Sequence, residues 1–205
     1  SKSSNLLISE DVKATIKAIK KLGIKVIIKK RQCTVYGKGL HGYTYKKNII
    51  VNAQNSGTLA RLLPGLLINS NHEIKIIGDS SLSKRDFKRI AEPLKKFGVI
   101  LNLKNNYTLP LTIKGSKNPK PIKYFEKRGS AQCKSSIILA GLRAEGTTEI
   151  KAKKSRNHTE LLCNYLNLPI KVLKKKNYDF ITVKKAKKIR PFNYKIPSDI
   201  SSSAF

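Results

Sequence analysis

The stretch NAQNSGTLARLL, residues 52–63, begins as a loop and finishes as a helix. Asn55, Ser56, Gly57 and Thr58 are small or polar, whereas Leu59, Leu62, Leu63, Leu66 and Leu67 fall at i, i+3, i+4, i+7 and i+8. That spacing is one buried face of an α-helix. The polar residues ahead of it accept hydrogen bonds from the first free N–H groups, an ordinary cap. The same helix start also suits an anion, because it presents unpaired N–H groups and partial positive charge. Gly57 leaves room for a ligand to approach the backbone. Pro64 predicts a kink or an early end just after Leu63.

The pattern recurs along the chain. GSAQCKSSIILAGL begins a second such helix near Ser130, and SDISSSAF opens a third near Ser201. Each complete copy leads into a strand, HEIKIIG (72–78) or TTEIKAK (147–153). A second helix type alternates with the first: EDVKATIKAIKKLGIKVI (10–27), RDFKRIAEPLKKFGVILNL (85–103) and RNHTELLCNYLNLPIKVL (156–173). Each starts polar, runs as an amphipathic helix, stops at a breaker and becomes a strand. The breakers are Gly23, Gly98 and Pro169. Both series repeat at about 70–75 residues, the mark of one supersecondary unit reused, with neighbours completing each other's core. Helices alternating with strands predict a mixed α/β fold with a helix layer against sheets.

Four helix starts carry the residues an anion site needs. The first is Asn55-Ser56-Gly57-Thr58, followed by Arg61. The second is Ser83-Lys84-Arg85-Asp86, where Ser83 and Asp86 have capping-box spacing and Arg85 suits a bidentate contact to carboxylate or phosphate. The third is Gly129-Ser130-Ala131-Gln132, ahead of a helix apolar nearly all round and therefore buried. The fourth is Ser155-Arg156-Asn157-His158-Thr159-Glu160, where Asn157 and Glu160 again have capping-box spacing. His158, His41 and His72 lack the partners of a general base, and no cysteine, serine or carboxylate arrangement marks a nucleophile or a metal site. These residues read as binding groups.

Composition narrows the class. The chain has 205 residues and 40% hydrophobic content, enough for one domain with its own core. No apolar run approaches the roughly 20 residues of a membrane-spanning helix. Cys33, Cys133 and Cys163 are odd in number, far apart and without metal-ligand spacing, which suits a reducing compartment such as the cytoplasm. The formal charge of +31 raises nucleic acid as a partner. Against this, the lysines are dispersed and tryptophan is absent, so no basic block or stacking platform stands out. The same positive field draws small anionic substrates.

Taken in order, the motifs resemble the enolpyruvyl transferases, and within them the branch that acts on shikimate 3-phosphate. NLLISEDVKATIKAIKKLGI resembles the family's first long helix, NSGTLARLL its Asn-Ala/Ser-Gly-Thr motif, and GDSSLSKRDFKRIAEPLKKFG its Gly-Asp-x-Ser-Leu-x-x-Arg-Pro segment. SAQCKSSIILAGLRAEGTTEI, SRNHTELL and IPSDISSSAF follow in family order. The resemblance implies a two-domain fold of βαβαββ units, shaped as an inside-out α/β barrel. Residues 1–195 would form most of one domain, lacking its first residues, and 196–205 would cross into the second.

The implied reaction moves the enolpyruvyl group of phosphoenolpyruvate to the 5-hydroxyl of shikimate 3-phosphate, releasing phosphate, on the route to chorismate and the aromatic amino acids. No metal or organic cofactor, nucleic acid or membrane takes part, and a monomer is expected. By resemblance Gly57 and Arg85 contact phosphoenolpyruvate, Gln132 lies between both substrates, and Ser130 and Ala131 hold shikimate 3-phosphate. Ser155 and Arg156 face its phosphate. Asn55, Thr58 and Arg61 shape the loop.

Some family features are not in this sequence. The Lys-Ser-x-x-x-x-Arg segment would lie before Ser1. The acid/base Asp and its Lys-Glu neighbours would lie beyond Phe205, which leaves the fragment alone inactive and without a catalytic residue of its own. The usual proline after Arg85 is Asp86 here, a carboxylate expected to weaken the positive potential of Arg85. The open space at Gly57 implies sensitivity to glyphosate, the family's inhibitor at that subsite. The nearest rival is a UDP-N-acetylglucosamine enolpyruvyl transferase, which carries a reactive cysteine in this domain. Neither Cys133, on a buried helix, nor Cys33, in a strand, suits an exposed low-pKa thiol. A basic nucleic-acid-binding module is a more distant reading.

Overall fold

The computed structural model describes residues 1–197 except His41. The helix start expected near Ser201, and all of the expected 196–205 crossover but Ile196 and Pro197, lie outside the described residues. The chain opens with β1 (Lys2–Ser4), α1 (Glu10–Lys21), β2 (Lys25–Lys29) and β3 (Gln32–Tyr36). It continues through β4 (Ile49–Asn52), α2 (Gly57–Leu66), β5 (Ile74–Ile77), a single turn α3 (Ser80–Ser83), α4 (Lys88–Lys96), β6 (Ile100–Lys104) and β7 (Thr108–Lys114). The last part holds β8 (Lys123–Glu126), α5 (Ala131–Gly141), β9 (Thr147–Lys153), α6 (His158–Tyr165), β10 (Ile170–Lys174), β11 (Tyr178–Lys184) and β12 (Asn193–Lys195).

The repeat expected from the sequence is present. β4–α2–β5–α4–β6–β7 and β8–α5–β9–α6–β10–β11 are two copies of a βαβαββ unit, the first with α3 inserted. In each, the crossover helix joins a parallel pair, β4 with β5 or β8 with β9, and the last two strands form an antiparallel hairpin. The sheets run β4-β5-β7-β6 and β10-β11-β9-β8. A third sheet, β12-β1-β3-β2, draws β1 and β12 from opposite ends of the described chain and pairs them in parallel.

Local chemistry sets the element ends. Ser9 caps α1 by accepting from the Val12 N–H at 3.4 Å, with Glu10 and Asp11 in the first turn and Lys20 and Lys21 in the last. Those charges complement the helix dipole. Gly23 and Gly98 follow α1 and α4 with φ of +84° and +88°, a left-handed conformation that glycine adopts at no steric cost. The third breaker is Asn167, at φ 52°, and not Pro169, which comes two residues later, just ahead of β10. Asparagine tolerates the left-handed region because its side chain is short and polar. Helix α2 passes through Pro64 and stops at Leu66, so the proline occupies the last turn. There it removes one internal hydrogen bond, and the chain closes with the Leu67 N–H donating to the Pro64 carbonyl at 3.1 Å.

The crossover helices α2 and α5 lie largely buried, whereas α1 and α6 bury two residues each. Along β9, Thr148, Ile150 and Ala152 are buried while Glu149, Lys151 and Lys153 are exposed, the alternation of a sheet covered on one face. Helix α5 is buried nearly all round, from Cys133 through Ile138 and again at Ala140 and Gly141. It packs on α2 so closely that a Cβ added at Gly65 would lie 2.3 Å from the Ser136 carbonyl oxygen. That oxygen belongs to the backbone and cannot turn aside. Gly65→Ala should therefore lower stability by about 1–3 kcal/mol, outweighing the roughly 1 kcal/mol that alanine gains over glycine in a helix. Urea unfolding of the variant checks this, and a midpoint equal to or above that of the parent protein refutes it.

Candidate functional site

The tight α2–α5 contact brings two helix starts side by side. Ser56, buried, caps α2 by accepting from the Leu59 N–H at 3.2 Å. Ser130 caps α5 by accepting from the Cys133 N–H at 3.3 Å. Gln132 spans the two: its Nε2 donates to Thr58 Oγ1 at 3.0 Å, and its Oε1 accepts from Arg61 Nη1 at 2.9 Å. Both halves of its amide are used in tying the helices together.

Two guanidiniums close on Gly57. A Cβ at Gly57 would lie 2.9 Å from Arg61 Nη1 and 3.2 Å from Arg85 Nη1. Arg61 is 6% exposed and stacks on Phe87, with its guanidinium carbon 5.1 Å from the ring centroid. Arg85 is exposed and donates to Asn55 Oδ1 at 2.9 Å. Asn55 in turn donates to Asp79 Oδ2 at 2.7 Å, so Asn55 shapes the loop as expected. Burial, then the nearby Arg89 and Arg85, pull the pKa of Arg61 down to about 10. Arg61 still carries its charge at neutral pH, in a cluster of three arginines.

The second expected helix start is not one. Ser83 ends α3, which Asp79 caps by accepting from the Leu82 N–H at 2.7 Å. Arg85 and Asp86 sit in the turn before α4, and Ser83 Oγ donates to the Gly78 carbonyl at 3.2 Å. Asp86 accepts from the Lys88 N–H at 2.6 Å and pairs with Arg128 at 3.6 Å. It thus serves the start of α4 and a neighbouring strand connection, not Arg85. Asn157 likewise precedes α6 without a side-chain cap bond, and the Glu160 side chain of the expected capping box pairs with Lys134 instead.

The fourth start joins the third. A Cβ at Gly129, where φ is +71°, would lie 3.3 Å from the Lys154 carbonyl oxygen, so the turn before α5 abuts the turn before α6. Ser135 and Thr159 share a hydrogen bond at 2.7 Å. Ser155 Oγ is buried without a hydrogen-bond partner, and Arg156 is exposed. The carboxylate of Glu126 accepts from the Arg128 and Ser130 N–H groups at 3.1 and 3.0 Å and fixes the loop between β8 and α5.

Gly57, Arg85, Gln132, Ser130, Ala131, Ser155 and Arg156 therefore gather around the starts of α2, α5 and α6. Arg89, Glu126, Arg128 and Lys134 join them without having been singled out from the sequence, and Glu160, read there as part of a capping box, joins them as the partner of Lys134. One signal was available: Lys134 is the only charged residue in a helix expected to be buried, and a buried charge requires a partner. Cys133, Cys33 and Cys163 are all free and buried. Burial and the Glu126 carboxylate push the Cys133 thiol up to about 12, the reverse of a reactive cysteine. Among the described residues, no helix is long and apolar enough to cross a membrane.

Comparison with known proteins shows the family of the chain. The family model for EPSP synthase (3-phosphoshikimate 1-carboxyvinyltransferase) matches residues 1–205. A 3-phosphoshikimate 1-carboxyvinyltransferase of Leuconostoc mesenteroides is 41% identical over 202 residues, 98% of this chain and 45% of that protein. The enzyme of that name from Caldicellulosiruptor bescii is 41% identical over 203 residues, 98% of this chain and 46% of its own length. The structure of EPSP synthase from Acinetobacter baumannii superposes with a TM-score of 0.90 at 35% identity, covering all of this chain and 45% of that one. The chain thus spans about half the length of the relatives it matches. On its matching family model, its relatives and its fold, the chain belongs to the EPSP synthase family.

Proposed function

We propose that this chain forms one wall of a two-anion site that transfers the enolpyruvyl group of phosphoenolpyruvate to the 5-hydroxyl of shikimate 3-phosphate. The observation that carries this reading is the pair of guanidiniums at Gly57, of which Arg61 is tied through Gln132 to the start of α5 and Arg85 is held by Asn55. Phosphoenolpyruvate lies against Gly57, Arg85 and Gln132, with the buried Arg61 behind them, held by Gln132 and Phe87. Its negative charge offsets the repulsion among three arginines and meets the N–H groups at the start of α2. Shikimate 3-phosphate lies across Ser130, Ala131 and Gln132, with its phosphate toward Ser155 and Arg156. Gln132 touches both substrates, and so links occupancy of one half to the geometry of the other.

These groups act by placing charge and holding orientation. Donors fixed before the reaction stabilise charge that develops on the transferred group without reorganising. Two substrates held at contact distance also avoid the entropy loss of a bimolecular encounter. The rival UDP-sugar reading is disfavoured by the buried, high-pKa Cys133 and by relatives that are named for shikimate 3-phosphate.

Arg156→Ala in the complete enzyme should weaken shikimate 3-phosphate binding by about 1–3 kcal/mol, the usual loss of a charge-assisted contact, with phosphoenolpyruvate affinity nearly unchanged. Titration calorimetry reads both constants, and an unaltered shikimate 3-phosphate constant would sink the assignment. Gly57→Ala should do the opposite. The new methyl group displaces the ends of Arg61 and Arg85 and should raise the phosphoenolpyruvate dissociation constant about tenfold, or about 1.4 kcal/mol, leaving shikimate 3-phosphate within about twofold. Equal loss for both ligands would show that Gly57 supports the fold and not one subsite.

A further inference from the structure

Helix α6 has a weak hold on the rest of the molecule. It is eight residues long, it lacks a side-chain cap, and Glu160 and Cys163 are its buried residues. Yet the loop ahead of it carries Ser155 and Arg156. Something other than apolar burial must fix where that loop sits.

The fixing group is an ion pair. Lys134 of α5 and Glu160 of α6 lie 2.6 Å apart, with side chains 0% and 4% exposed. Among the described residues neither Lys134 Nζ nor either Glu160 oxygen has a hydrogen-bond partner, so the contact between them is ionic alone. Such a pair is poorly explained by stability, because two apolar side chains of similar volume generally do as well or better. What a buried pair supplies is a single geometry, since any displacement leaves a bare charge in the core.

The positions of the two residues show which geometry is specified. Lys134 stands one helical turn after Ser130, whose carbonyl accepts its N–H at 3.0 Å. Glu160 stands four residues after Arg156, in the first turn of α6. The Ser135–Thr159 hydrogen bond runs beside the ion pair. We infer that Lys134 and Glu160 are positioning residues, which set the start of α6 against the start of α5 so that Ser155 and Arg156 meet the same phosphate as Ser130. The pair also neutralises itself, so the net positive charge offered to that ligand is left to Arg156 at the surface. This inference rests on the proposed reading of the shikimate 3-phosphate subsite.

The test uses the complete enzyme with Glu160→Gln, Lys134→Met and the charge-free double variant Lys134→Met/Glu160→Leu. The single variants should raise KM for shikimate 3-phosphate at least tenfold while KM for phosphoenolpyruvate stays within twofold. The double variant should recover the parent's urea midpoint and still keep the raised KM. A merely structural pair would behave otherwise: KM for shikimate 3-phosphate would return to the parent value with stability, and that result overturns the inference. If the double variant does not fold, Glu160→Gln decides, because it keeps shape and acceptor. Parent-like KM values for both substrates in that variant overturn the inference equally. Shikimate 3-phosphate binding by the parent enzyme is measured alongside. Absence of binding there would remove the proposed function itself, whereas binding with unaffected variants removes only the role of the pair.

Discussion

The α2–α5 contact governs the rest of the molecule. Gly65 lets the two crossover helices approach until the backbone of one meets Ser136 of the other. Because each helix starts from the parallel pair of its own sheet, this approach also puts their N-terminal ends together. Gln132 then reaches from one helix start to Thr58 and Arg61 on the other. A single missing methyl group in the core is thereby connected to the spacing of two helix starts.

Charge is distributed in two opposite ways around that frame. At the start of α2, Arg61, Arg85 and Arg89 are left near one another, and burial with mutual repulsion lowers Arg61 to about 10. That value is still about three units above neutrality, so ionisation wins and the positive potential is retained. One helix away, the positive charge of Lys134 is cancelled by Glu160 within the core. The first arrangement leaves like charges close together at a helix start. The second sets opposite charges against each other inside the core. Both lie within a few residues of Gln132, which is why binding and positioning are distinct tasks for neighbouring side chains.

The periodic parts of this structure were legible in the sequence, since they depend on local pattern. The leucine spacing after Ser56 gave α2, the polar-to-apolar runs gave α1, α4 and α6, and the repeat of about 70–75 residues announced the βαβαββ unit. What was misread turned on competition between equally plausible local signals. Ser83 and Asp86 had capping-box spacing, but Asp79 captured the preceding turn first. Pro169 looked like the helix breaker, while Asn167 already held the left-handed position two residues earlier. Asp86 stood beside Arg85 in sequence, yet it faces Arg128 across a gap of 42 residues that no local pattern reports. The Lys134–Glu160 pair was hidden for the same reason, although an isolated lysine in a helix expected to be buried marked where to look.

The three sheets extend the argument from two helix starts to the whole domain. β4 and β8 each lead into a crossover helix, and each pairs in parallel with the strand that follows. β12 stands in its own sheet as they stand in theirs, in parallel with β1. The unit at the third sheet is therefore the same unit opened at a different point, with its first strand contributed late in the chain and its second strand early. Such an opening preserves every packing relation between helix layer and sheet, because the core depends on which faces meet and not on the order in which the chain visits them.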